Sequence, residues 1–108
     1  AVNAAPGDPY GWSLLAWSEM LQGEREASIV ALERSWELAP ELAALAHDRT
    51  LISSGLGLLE PGVATPEQLI RTRQDVKMLM EILPERADFL ASRRPDLAEF
   101  MEREFASS

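Results

Sequence analysis
Apolar residues recur along this chain at intervals of three and four, and no run of alternating β-branched residues interrupts them. The pattern therefore predicts helices throughout and an all-α fold. Asp8-Pro9 sets up the first helix. Aspartate accepts backbone N–H bonds that a helix leaves unpaired at its start, and proline at the first helical position lacks an N–H that would have no partner anyway. From there Trp12, Leu15 and Ala16 share one side with Glu19, while Tyr10, Leu14, Trp17 and Leu21 line another, so this helix is apolar on two faces. Gly23 closes it, being free to take the left-handed conformation. The preceding AVNAAPG has no periodic pattern and reads as a linker or terminus.

A second helix is expected over Glu24 to Ala39, with Ile29, Leu32 and Trp36 as its apolar stripe and Ala27, Ala31 and Ser35 as small contact points. Pro40 is placed to open a third, running through Glu41, Leu42 and Leu45 to about Ser54, with Gly55 and Gly57 weakening its exit. LLEPGVATP, with Pro61 and Gly62, reads as a loop. Thr65-Pro66 repeats the capping arrangement and starts a fourth helix. Its buried stripe is Leu69, Val76, Leu79, Met80 and Leu83, and Arg71, Arg73, Asp75 and Lys77 take its other side. Pro84 ends it, and two short helices follow, about Glu85 to Ser92 and Pro95 to Phe105.

A length of 108 residues leaves room for one domain. The net charge of −8 repels phosphate backbones and anionic lipid, which argues against nucleic acid or an acidic membrane surface as partner. With no cysteine and one histidine there is no disulfide framework, thiol nucleophile or zinc site, and no cofactor or metal is expected. No stretch approaches the roughly 20 apolar residues that cross a bilayer, so direct membrane insertion is not expected. The chain opens at Ala1 in place of Met, which reads as a processed or trimmed end. A targeting or anchoring segment could have been removed there, so the compartment stays open.

Helix, turn, helix and a closing proline, with a period of about 34 residues, is a repeat pattern. The segment from Trp12 to Pro40 resembles the tetratricopeptide repeat. Trp12, Leu15 and Ala16 match its opening, Gly23 its turn, Ser28, Leu32 and Ser35 the second-helix positions, and Pro40 its end. Glu19 departs from the pattern, where an aromatic residue is usual. Pro84 follows Pro40 by 44 residues, which fits a second, loop-expanded copy without the Trp opening. The resemblance implies antiparallel helical hairpins, with a clear repeat over 8–40, a degenerate repeat over 41–84 whose loop spans 55–65, and capping helices over 85–108.

Repeats of this family bind peptides or helices of partner proteins on a surface lined by the first helix of each pair. The resemblance would place Tyr10, Ser13, Trp17, Met20 and Leu21 on that surface as the partner-binding residues. The first helix carries no Lys, Arg or Asn, so a grip on a terminal carboxylate is not expected, and an apolar peptide or helix suits the surface better. The same side chains would also serve as core against the third helix. They would equally suit contact with a second copy in a homo-oligomer, or with a neighbouring repeat of a longer protein.

Candidate catalysis is sparse. His47-Asp48 are adjacent, and residues one apart on a helix point about 100° apart, so Asp48 is not expected to orient the His47 ring. Ser54 is two turns away, and nothing brings Glu19 and Asp48 together as an acid–base pair. The Gly55-Leu56-Gly57 run has no strand before it and no Lys-Ser or Lys-Thr after it, so it is not a phosphate loop. Arg71, Arg73 and Lys77, and Arg93-Arg94, alternate with Asp75, Glu81, Glu85 and Asp96, the pattern of a solvated face. An enzyme is therefore not expected.

Overall fold
The computed structural model describes residues 5–106, which form six helices and no strand. They are α1 (Pro9–Leu21), α2 (Arg25–Leu38), α3 (Ala43–Gly55), α4 (Pro66–Ile82), α5 (Pro84–Arg93) and α6 (Pro95–Phe105). Local chemistry fixes several of the ends. Asp8 Oδ1 accepts from the Tyr10 N–H at 3.0 Å. Thr65 Oγ1 accepts from the Gln68 N–H while Gln68 Oε1 accepts from the Thr65 N–H, so each residue satisfies an orphan donor of the other. Gly23 has φ 78°, a left-handed backbone that lets α2 fold back on α1.

Hydrogen bonds between helices give their directions. Ser28 Oγ donates to the Ala16 carbonyl and Ser35 Oγ to that of Pro9, so α1 and α2 run antiparallel. Arg49 meets Asp75 and Thr72 meets Ser53, so α3 and α4 are antiparallel as well. Gln68 Nε2 donates to Glu33 Oε2 and Trp36 Nε1 to Asp75 Oδ2, which sets α2 and α4 side by side and parallel. Met20 lies over Gly55. A β-carbon at that glycine would fall 2.5 Å from the Met20 sulfur, so the missing side chain lets α1 and α3 close up.

Two apolar cores result. Ala16, Ala31, Leu32, Trp36, Ile52, Leu56 and Leu58 form one, with Trp12, Leu15, Trp17 and Met20 packed against it. Leu59, Val76, Leu79, Ala87, Leu90, Leu97 and Phe100 form the other, between α4, α5 and α6. The radius of gyration, 13.0 Å, is that of an ordinary folded domain of about 100 residues, so the helices stack without opening into an extended superhelix.

Three local expectations change. The third helix begins at Ala43, two residues after Glu41, because the Ala39 and Pro40 carbonyls turn onto the Arg49 guanidinium at 2.8 and 3.5 Å. The segment 56–64 is irregular, as a loop is expected to be there; Glu60 to Val63 are exposed, while Leu56, Leu58, Leu59 and Ala64 are buried. Arg25 donates to the Leu56 carbonyl and Arg103 to that of Leu59, which pins the segment down. Leu83 is half-exposed, standing where α4 gives way to α5.

The third change is Asp75. It was expected on the solvated side beside Arg71, yet it is fully buried, and Arg71 pairs with Glu67 at 3.2 Å instead. Asp75 shares its face of α4 with Thr72, Val76 and Leu79, at intervals of three and four, and that face meets α3. Arg49 Nη2 lies 2.9 Å from Asp75 Oδ1, with neither side chain exposed, and Trp36 Nε1 donates to Oδ2 at 2.8 Å.

Burial raises the Asp75 carboxyl from 3.8 to about 6, against the opposing pull of Arg49 and the Trp36 N–H. Between those two values the folded protein holds a proton that the unfolded chain has released. The stability this adds is fully present near pH 4 and lost as pH rises through 6. Urea unfolding of the wild type and Asp75→Asn from pH 4 to 8 should show the wild type losing up to about 3 kcal/mol relative to the variant across that interval. A pH-independent difference would contradict this account.

Candidate functional site
α1 and α3 lie together without filling the space between their outer faces. The resulting groove has a volume of about 290 Å³ and is lined by Tyr10, Ser13, Leu14, Trp17, Leu45, Asp48 and Ile52. It arises because α1 is apolar on two faces. Ser13 and Ala16 are buried, leaving Tyr10 and Leu14 on the outside at 53% and 57% exposure.

The five residues expected to bind a partner separate. Tyr10, Ser13 and Trp17 line the groove, with Ser13 buried in its floor and Trp17 packed partly into the first core. Met20 is taken up against Gly55 and the core, and Leu21, 69% exposed, lies outside the groove lining. Leu14 and the α3 wall of Leu45, Asp48 and Ile52 were not among the expected residues. Leu14 shares the helical face of Tyr10 and Trp17 and was legible on that ground. The α3 wall was not, because no pattern within one helix says which other helix comes alongside.

The only charged side chain in the lining is that of Asp48, which is exposed. Its Oδ1 lies 3.0 Å from His47 Nδ1, against the expectation that neighbouring helix positions keep the two apart. Arg86 Nε on α5 donates to His47 Nε2 at 3.0 Å, so that nitrogen accepts and Nδ1 carries the proton. His47 Nε2 thus meets a guanidinium and no hydroxyl. Ser54 Oγ is held by Asp96 at 2.6 Å and by Arg94 at 3.2 Å, and Ser53 meets Thr72.

Among the described residues no cluster of three or more His, Asp or Glu could hold a metal ion, and no helix is long and apolar enough to cross a membrane. No family model, curated protein or solved structure matches this chain.

Proposed function
We propose that this chain is a protein-binding module that takes an apolar peptide or helix of a partner into the α1–α3 groove. The observation that carries the reading is that groove. It is a preformed concave strip with Tyr10 and Leu14 exposed on one wall and Leu45 and Ile52 on the other. Tyr and Trp present large contact areas at low entropic cost, so Tyr10 and Trp17 suit the role of anchors. Two antiparallel helix pairs, stacked with α1 parallel to α3 and α2 parallel to α4, also accord with a tetratricopeptide-like arrangement resting on Trp12, Gly23, Ser28 and Pro40.

The test is selection of binders from a random peptide library, followed by titration against variants. Leu14→Gln and Tyr10→Ala, both on exposed side chains, should weaken the selected peptides at least tenfold without shifting the thermal transition. Val30→Gln, on the exposed face of α2, should leave them unchanged. Failure to select any peptide sensitive to Leu14 and Tyr10 overturns the reading. A packing role for the same face against a second copy predicts instead a concentration-dependent mass by light scattering, abolished by Leu14→Gln.

A further inference from the structure
The groove is charged as well as apolar, and only in one sense. Asp48 is its sole ionisable carboxylate, with a side chain 61% exposed, and no Lys, Arg or His belongs to the lining. The walls cannot supply a cation from elsewhere on the same helices. α1 has Glu19 and its cap Asp8 but no basic residue; on α3, Arg49 is buried against Asp75 and the carbonyls of Ala39 and Pro40, and His47 Nδ1 donates to Asp48 Oδ1 while its Nε2 accepts from Arg86. Arg86, on α5, is turned onto His47 Nε2 and the Phe89 ring. The groove is thus an apolar strip with one accessible negative charge, in a chain of net charge −8.

We infer that the groove's occupant is a cationic amphipathic helix, with apolar side chains at i, i+3 and i+4 set on Tyr10, Leu14 and Leu45 and a lysine or arginine placed against Asp48. This rests on the binding reading above. A volume of about 290 Å³ lies at the lower limit of small-molecule sites, which suits a few protruding side chains better than a whole ligand. The described residues offer no sheet edge for a strand to join, and a furrow between two helices matches the spacing of knobs on a third. Opposite charge raises the association rate and disfavours anionic competitors, whereas a second copy would bring another −8 to the same surface.

Three synthetic peptides test this by titration of the intact chain, with amide shifts in the NMR spectrum locating the contact. One is an amphipathic helix with Leu at i, i+3, i+4 and i+7 and Lys on its flank. The second has Glu in place of each Lys, and the third is a Lys-bearing proline-rich peptide that cannot form a helix. The Lys helix should shift residues of α1 and α3 and bind at least tenfold more tightly than the other two. Asp48→Asn should reduce its affinity about three- to tenfold and flatten its salt dependence, and Asp88→Asn on α5 should not. Equal binding of the Lys and Glu helices, or equal effects of Asp48→Asn and Asp88→Asn, overturns the charge assignment while leaving groove binding intact. Preference for the proline-rich peptide overturns the helical occupant. If no peptide of either charge shifts α1 and α3, the binding reading itself falls.

Discussion

Arg49→Met should lower the unfolding free energy by about 3–5 kcal/mol, because it strands a carboxylate where neither partner has any exposure. Five contacts of the guanidinium disappear together: the Asp75 carboxylate, the Ser35 hydroxyl, and the Ser35, Ala39 and Pro40 carbonyls. Removing the cation also removes the strongest influence holding the Asp75 carboxyl down, so it should rise further. Against a total of about 5–15 kcal/mol for a domain, a loss of this size leaves a visible unfolded fraction. The informative companion is Arg49→Met with Asp75→Leu. Replacing both charges by apolar groups should recover much of the loss, since an ion pair withdrawn from water gains little over good packing. Arg49 Nε already lacks an acceptor among the described residues, which favours the apolar pair further. Equal midpoints in urea for the single and double variants would contradict this.

Trp36→Ala should be comparably damaging, at about 3–5 kcal/mol, for a different reason. The indole is 2% exposed at the centre of the first core, and truncating it leaves a cavity that Leu32 and Ile52 cannot fill. Trp36→Phe separates the two roles of the side chain. It keeps most of the volume but deprives Asp75 Oδ2 of its donor, and should cost about 1–3 kcal/mol. Because Trp36 and Arg49 both act on Asp75, their effects should not add. A double-mutant cycle by urea unfolding should return a coupling of about 0.5–3 kcal/mol, and strict additivity would mean that the carboxylate does not link them.

The six helices were legible because their caps and stripes are local: Asp8-Pro9, Gly23 and Thr65-Pro66 act within a few residues of themselves. The outer face of α1 was legible for the same reason, as Tyr10 and Trp17 lie a helical repeat apart. What escaped was partnership. Arg49 lies on the same stripe as Leu45, Ile52 and Ser53, and Asp75 on that of Val76 and Leu79, so each interrupts an apolar face with a charge. Taken singly, each charge fits a solvated position. Only the stripe period, applied to both at once, marks two opposite charges that must be buried together. The α1–α3 groove was hidden in the same way, because its two walls are separated by the whole of α2.

Leu58 and Leu59 are consecutive, yet one belongs to the core shared by α1, α2 and α3 and the other to the core of α4, α5 and α6. A stretch with no helix of its own is therefore the rivet between the two halves of the molecule. Each half lacks a wall without it, so the chain divided between these leucines would not give two self-sufficient pieces. Opening of one half should be felt by the other as a single cooperative event.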